Sequence, residues 1–244
     1  MNTTKHTTNR ITKHIPNALT CLNVFSGCVS CLMALEGEIL LATIWIIIGS
    51  VFDFLDGFAA RIFKAYSNIG KDLDSLADMV TFGMAPGMIV FWILSQAVPA
   101  IPSNVLGSSF SIIPFIAFVI PIFSALRLAK FNNDTRQTTS FIGLPVPAHA
   151  LFWSSFSYSL LPTIHIDPLL VTTLVIVLAI TTSILLVSEI PMFSLKINSW
   201  GWKENESRYV LLACFIISFS FFGLSGIAPT IFIYIILSIF NKEK

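Results

Sequence analysis

The chain has 244 residues, of which 55% are hydrophobic and only 11% are charged, against about 25% charged residues in a typical soluble domain. So few charges cannot cover the surface of a water-soluble globule, whereas a protein surface that contacts lipid needs none. The net charge of +1 gives no electrostatic reason to expect a nucleic-acid partner. Composition therefore excludes an ordinary soluble domain and predicts an integral membrane protein.

The N-terminal residues 1–14 are polar and include Lys5, Arg10 and Lys13. The apolar stretch that follows Pro16 is too long for the core of a signal peptide, and no small-residue cleavage site follows it. We therefore expect this stretch to be the first retained membrane span.

Further along the chain, apolar segments alternate with polar ones. A spanning helix needs about 20 mostly apolar residues, and eight segments approach that length. The last two are short and flank a tight turn at 223–229, so they form either two spans or one hairpin that barely crosses. The eight segments are 17–35, 39–62, 72–98, 110–130, 142–162, 167–188, 208–223 and 225–241.

These segments predict an all-α, polytopic membrane helix bundle of about eight transmembrane helices. We expect one domain over 1–244, with a functional core at about 15–188 and additional C-terminal helices of unknown role at 189–244. Polar and turn-forming residues at 99–109 and 131–140 predict loops. The segment 189–208 is long enough for an interfacial helix, with Trp200 and Trp202 at headgroup depth.

The basic residues predict the orientation, because Lys and Arg concentrate in cytoplasmic loops. With eight spans and the N-terminus in the cytoplasm, all 14 basic residues fall in or beside cytoplasmic segments. The external loops then hold Glu36, Glu38, His165 and Asp167 as their only titratable groups. The pattern predicts a multi-pass protein of the cell (inner) membrane with both termini in the cytoplasm.

Four aspartates lie at the cytoplasmic ends of the second and third predicted spans. Asp53 and Asp56 are three residues apart, and Asp74 and Asp78 are four apart, so each pair lies on one helical face. A carboxylate in or near hydrocarbon costs several kcal/mol. We therefore expect the two antiparallel helices to bring these faces together around a shared ligand.

Carboxylate oxygens are hard ligands, so four of them at one point suit Mg²⁺ or Mn²⁺ rather than zinc or copper. Two other readings remain open. An ion network with Arg61, Lys64 and Lys71 would pair the carboxylates without a metal. A carboxylate-lined path would serve a divalent-cation transporter, although the outer halves of the spans hold almost no acidic residues.

Small residues accompany the aspartates. Gly57 and Ala60 lie beside the first pair, and Gly70 lies one turn before Asp74. They leave room for a bulky ligand against the helix backbone.

These residues together resemble the signature of the CDP-alcohol phosphatidyltransferases, and no position departs from it. The signature covers only the second and third predicted spans, and eight residues separate its two halves. Its positions are Asp53, Asp56, Gly57, Ala60, Arg61, Gly70, Asp74 and Asp78.

The resemblance implies that the core transfers a phosphatidyl group from CDP-diacylglycerol to an alcohol and releases CMP. It implies that the four aspartates hold two Mg²⁺ or Mn²⁺ ions and that Asp78 also acts as general base on the acceptor hydroxyl. It further implies a homodimer. The CDP-lipid would contact Asn17, Thr20, Asp56, Gly57, Ala60, Arg61 and Gly70.

Four further stretches resemble the bacterial, membrane-embedded phosphatidylserine synthases within that family, which implies L-serine as the acceptor. These stretches are 15–23, 73–86, 127–132 and 141–148.

The carboxylate of serine needs a cation, and Arg127 is the first candidate because a guanidinium pairs with a carboxylate through two hydrogen bonds. Lys130 and Arg136 are the alternatives. All three would otherwise be ordinary positive-inside residues that meet anionic headgroups. Glycerol 3-phosphate and inositol phosphate stay open as acceptors, although a phosphorylated acceptor would need several clustered cations.

The segment 143–147, Gly-Leu-Pro-Val-Pro, predicts either a kink in the fifth span or a plain helix start, because each proline removes a backbone donor. His149 follows within one turn. We expect it to pack or to hydrogen-bond, with acid–base chemistry as the alternative.

Overall fold

The computed structural model describes residues 14–101, 110–134, 141–193 and 201–240. Within these residues the chain folds into a bundle of apolar helices, and the only extended pairing is a two-residue bridge. The prediction of an all-α membrane helix bundle is thereby confirmed.

Helices α1 (Ile15–Leu35) and α2 (Ile39–Ile62) form an antiparallel hairpin. Gly37 makes the sharp turn between them with a φ of +83°, a conformation that favours glycine. The buried face of α1 carries small and polar residues, including Ser26, Gly27 and Ser30. Small residues let helix backbones approach closely in a membrane, and Ser30 donates a hydrogen bond across the pair to the Ala42 carbonyl at 2.8 Å.

The third helical rod, Asn68–Ala100, is continuous, but its helix type changes along its length. Helix α3 (Asn68–Asp78) passes into a π-helix (Met79–Met84), then α4 (Ala85–Ala97) and a 3₁₀ turn (Val98–Ala100). The side chain of Ser67 caps its N-terminus by accepting from the Gly70 amide at 3.0 Å. This rod is more deeply buried than the other candidate spans, so it forms the centre of the bundle.

The fourth rod begins as a 3₁₀ helix (Phe110–Phe118) and continues as α5 (Val119–Asn133). It runs antiparallel to the third rod. A Cβ atom added at Gly87 would come within 2.9 Å of Pro121, and one added at Gly83 within 3.1 Å of Ser124. The absence of a side chain at the two glycines therefore permits this close packing.

A short two-stranded bridge follows α5 at the end of the bundle where α5 ends. Strand β1 (Phe141–Ile142) pairs antiparallel with β2 (Pro191–Met192). Gly143 follows β1 with a φ of +78°, and its amide donates to the Ile190 carbonyl at 2.8 Å. Pro145 then precedes α6 (Val146–Leu160). The segment 143–147 is therefore a plain helix start, the second of the two predicted alternatives.

Helix α7 (Pro168–Val187) is capped by Asp167, whose carboxylate accepts from the Leu170 amide at 3.0 Å. After β2 the described chain resumes at residue 201 and enters α8 (Trp202–Phe222), which has a non-helical residue at Asn205. Of the predicted interfacial segment, Trp200 lies outside the described residues and Trp202 begins α8.

The last helix, α9 (Ile227–Phe240), folds back on α8 through a turn at Gly223–Gly226, as the sequence predicted. Ser155 of α6 binds this turn through two hydrogen bonds. Its hydroxyl donates to the Leu224 carbonyl at 2.8 Å and accepts from the Ala228 amide at 2.9 Å. The C-terminal helices are thus docked on α6.

Helices occur in all eight predicted segments, but not all are long enough to span alone. Helix α6 has only 15 residues. The count of eight spans therefore stays a prediction. Six described helical stretches have the length and hydropathy of a span: Ile15–Leu35, Ile39–Ile62, Asn68–Ala100, Ile112–Asn133, Pro168–Val187 and Asn205–Phe240.

Candidate active site

Three carboxylates meet where the end of α2 faces the start of α3. Asp53, Asp56 and Asp74 each offer one oxygen atom, and these three atoms lie within 4.8 Å of one another. The two helical faces that carry the aspartates therefore meet, as their spacing predicted. The geometry also fits the donor set of a hard divalent cation, which takes carboxylate oxygens.

Asp56 is the most buried of the three, and α1 supplies its partner. The Thr20 hydroxyl donates to Asp56 Oδ2 at 2.6 Å. The antiparallel hairpin of α1 and α2 sets this contact, because it places the beginning of α1 beside the end of α2. Thr20, predicted as a CDP-lipid contact, therefore also orients a carboxylate.

Asp78 lies outside the group of three, although it faces Asp53. It occupies the last residue of α3, immediately before the π-helix. The Asn23 side-chain amide of α1 donates to Asp78 Oδ1 at 3.4 Å. Asp78, the fourth predicted aspartate, is thus adjacent to the group of three, and its partner on α1 is Asn23 rather than Thr20.

The ion-network reading finds no support in the described part of the chain. There, no ion pair joins these aspartates to Arg61, Lys64 or Lys71. Lys71 instead donates to the Asn132 carbonyl at 3.2 Å. Carboxylates this close, without a basic partner, need another source of positive charge.

The two signature glycines have different surroundings. A Cβ atom added at Gly57 would meet no described atom within 4 Å, whereas one at Gly70 would come within 3.1 Å of Asn17 Oδ1. Gly57 therefore borders open space beside the carboxylates, and Gly70 lets α3 approach α1. Ala60 is half-buried and Arg61 is exposed near the C-terminal end of α2.

Arg127 is buried in α5, with only 2% of its surface exposed, and its guanidinium lies 5.2 Å from the Phe131 ring centroid. Asn132 donates to Ser75 Oγ at 2.8 Å, and Ser124 packs against Gly83. Arg127 and Asp78 both lie between these two contacts along the paired rods.

The other two predicted acceptor cations are placed differently. Lys130 forms an ion pair with Glu189 and donates to the Val187 carbonyl at 3.3 Å. Arg136 lies outside the described residues. Arg127 is consequently the cation of this set that the described structure buries.

His149 is fully buried between α6 and α7. Its Nε2 atom lies 3.0 Å from Thr182 Oγ1 and also accepts from the Trp153 indole at 3.0 Å. These contacts favour the predicted hydrogen-bonding role over acid–base chemistry.

Asn23 is the site residue that sequence reasoning did not single out. It contacts Asp78 across a helix interface, and no spacing within one helix shows such a contact. The signal for it in the sequence was its amide side chain in a mostly apolar span, because a buried amide requires a polar partner.

The fold and the site define a polytopic membrane protein with an acidic centre at the facing ends of its second and third rods. The family model for CDP-alcohol phosphatidyltransferase matches residues 13–185. Because this match covers more than half of the chain, the chain belongs to the CDP-alcohol phosphatidyltransferase family.

Several curated proteins are similar to the chain over the same region. A CDP-diacylglycerol–serine O-phosphatidyltransferase of Bacillus subtilis is 34% identical over 60% of this chain and 77% of its own length. The enzyme of that name from Saccharomyces cerevisiae is 37% identical over 55% of this chain and 50% of its own.

An archaetidylserine synthase of Methanothermobacter thermautotrophicus is 34% identical over 58% of this chain and 57% of its own length. The chain thus spans about half the length of several relatives that it matches.

Proposed function

We propose that this protein transfers the phosphatidyl group of CDP-diacylglycerol to the hydroxyl of L-serine, giving phosphatidylserine and CMP. The observation that carries this proposal is the group formed by Asp53, Asp56 and Asp74 with Asp78 beside it. The names of the relatives support serine as the acceptor.

The CDP-lipid would lie in the open space beside Gly57, where no described side chain competes with it. Asn17, Thr20, Asp56, Ala60 and Gly70 would contact the bound CDP-lipid. Arg61, exposed at the cytoplasmic end, would meet a phosphate of the nucleotide.

The carboxylates would hold two Mg²⁺ or Mn²⁺ ions through Asp53, Asp56, Asp74 and Asp78. Bound there, the metals would neutralise the diphosphate and stabilise the attacking and leaving oxygens. Thr20 fixes one oxygen of Asp56 and leaves the other available as a ligand.

Asp78 is the proposed general base. Its carboxylate takes the proton of the serine hydroxyl as the hydroxyl oxygen attacks the phosphatidyl phosphorus. One phosphorus–oxygen bond forms to serine, and the bond between that phosphorus and CMP breaks. The proton rests on Asp78 and CMP leaves as the anion, so charge and atoms balance.

Arg127 would bind the carboxylate of serine. It is buried, it lies between the same two helix contacts as Asp78, and a guanidinium recognises a carboxylate through paired hydrogen bonds. Lys130 would have to leave Glu189 to take this role, and Arg136 remains a further candidate.

The protein is a membrane protein, and we propose the cell's inner membrane with the site facing the cytoplasm. The concentration of Lys and Arg at the aspartate end supports this orientation. The family resemblance supports a homodimer of single-domain chains, in which 189–244 contribute additional helices.

An acceptor panel tests the proposal. Purified protein in lipid nanodiscs receives CDP-diacylglycerol and Mg²⁺ or Mn²⁺ with L-serine, glycerol 3-phosphate or inositol phosphate. We expect CMP release and a new phospholipid with serine alone. Product formation with glycerol 3-phosphate but not with serine would overturn the choice of acceptor.

A further inference from the structure

Asn23 is fully buried in the middle of an apolar helix. An amide without hydrogen bonds in such a place costs free energy, so it needs a partner. Its Nδ2 atom donates to Asp78 Oδ1 at 3.4 Å, whereas its Oδ1 atom finds no hydrogen-bond partner among the described residues. The side chain therefore makes its one described hydrogen bond to the proposed base.

The backbone of Asn23 is held from the third rod. The Thr81 hydroxyl, within the π-helix, donates to the Asn23 carbonyl at 2.8 Å. Thr81 fits there because α1 and α2 each present a glycine. A Cβ atom at Gly27 would come within 2.5 Å of Thr81 Oγ1, and one at Gly49 within 2.5 Å of Thr81 Cγ2.

Gly49 also sets the position of the Asn23 side chain. A Cβ atom at Gly49 would come within 3.1 Å of Asn23 Oδ1, so the amide rests against the bare backbone of α2. Because Gly49 lies against its oxygen and Asp78 against its nitrogen, the amide has little freedom to rotate.

Asp78 faces Asp53 and has a hydrogen-bond donor of its own on α1. It lies outside the group of three carboxylates, and Asn23 is the hydrogen-bond donor from α1 that the structure places against it. The residues after it leave the α-helical path, and π-bulges within helices are frequent at functional sites.

We infer that Asn23 is a positioning residue, which Gly49 and Thr81 hold so that its amide aims the Asp78 carboxylate at the acceptor hydroxyl. This inference rests on the proposed function, because it assigns Asp78 to the acceptor. Removal of the amide should then slow the chemical step without weakening the binding of either substrate.

The first test is Asn23→Ala, assayed by CMP release with CDP-diacylglycerol, L-serine and Mn²⁺. We expect kcat to fall by about 10- to 100-fold, as for lost supporting contacts in other sites. The KM values for both substrates should change by less than about threefold, because no substrate-binding group is lost. An unchanged kcat, or KM values that rise together with its loss, would overturn the inference.

A second variant pair serves in case Asn23→Ala fails to fold. Thr81→Ser removes the methyl group that would collide with a side chain at residue 49 and keeps the hydroxyl. In the double variant Gly49→Ala, Thr81→Ser, the new methyl group then presses on the Asn23 amide. The double variant should have a lower kcat than Thr81→Ser at equal KM. Equal kcat values would contradict the role of Gly49 in positioning the Asn23 amide.

The wild-type assay separates the two proposals. If the wild type releases no CMP in response to serine, the proposed function fails. If the wild type responds and both sets of variants keep its kcat, only the role of Asn23 fails.

Discussion

At the scale of residues, α1 provides a separate donor for each of two carboxylates. Thr20 binds Asp56, which belongs to the group of three, and Asn23 binds Asp78, which does not. Two carboxylates of one cluster therefore have different neighbours. That difference supports an additional role for Asp78, as proton acceptor, beside the holding of metal.

Asp78→Asn tests the proposed base. It keeps the shape of the side chain and removes its basicity, so kcat should fall by about 10²- to 10⁴-fold. CDP-lipid binding should largely persist, since Asp53, Asp56 and Asp74 remain. Turnover and equilibrium binding of the lipid measure the two effects.

Asp72→Asn is the matched control, because Asp72 is exposed on another face of α3. Its turnover should stay near the wild-type value. A similar loss in both variants would mean that a general change in helix charge, rather than a base, explains the effect.

Arg127→Ala tests the proposed acceptor contact. Loss of one partner from a buried charge pair costs about 2–5 kcal/mol, which corresponds to a rise in the serine KM of at least about 30-fold. Steady-state kinetics at varied serine measure it. Lys130→Ala should change this KM less, because Lys130 is paired with Glu189; the reverse order would move the carboxylate site to Lys130.

At the scale of elements, the sequence predicted the helical faces but not every backbone detail. Spacings of three and four residues were sufficient to place the aspartates of α2 and α3 on facing surfaces. The π-helix could not be predicted, because one widened turn leaves the apolar pattern of 79–84 almost unchanged. The β1–β2 bridge was missed because two paired residues are too short for a strand pattern.

Gly57, near the end of α2, provides a test of the proposed CDP-lipid site. Gly57→Ala adds a methyl group that meets no described protein atom, and alanine favours a helix more than glycine does. The variant should fold normally, and its KM for CDP-diacylglycerol should rise. Wild-type kinetics in Gly57→Ala would contradict placement of the lipid at this position.

The β1–β2 bridge provides a stability test. A Cβ atom at Gly143 would lie 2.4 Å from the Leu186 carbonyl oxygen, whereas one at Gly223 would meet no described atom within 4 Å. Both glycines have positive φ, so alanine is strained at both positions, and only at Gly143 is a collision added to that strain. Gly143→Ala should lower the Tm in detergent by more than Gly223→Ala; equal Tm values would show that the bridge does not stabilise the bundle.

At the scale of the whole molecule, composition sufficed to predict a membrane helix bundle. Segment lengths could not fix the number of spans. Helix α6 has 15 residues and α9 has 14, lengths at which a helix crosses only if the bilayer thins or flanking groups reach the surface. The contacts of Ser155 with the Gly223–Gly226 turn depend on tertiary packing, which no local pattern reveals.

The distribution of Lys and Arg predicts that both termini face the cytoplasm. Reporters that are active on only one side of the membrane, fused to each end of the full chain, measure this directly. Both fusions should report the cytoplasm. Opposite sides for the two ends would require an odd number of spans and would contradict the eight-span topology.

Coupled product formation tests the central claim most directly. Purified wild-type protein in nanodiscs with CDP-diacylglycerol and Mn²⁺ receives isotope-labelled L-serine, and CMP and labelled phosphatidylserine are measured together. We predict equal amounts of the two products, with neither formed when serine or the metal is withheld or when Asp78 is replaced by Asn. CMP release that continues without serine, or labelled lipid formed at the wild-type rate by Asp78→Asn, would contradict the assignment of this acidic centre as a serine phosphatidyltransferase site.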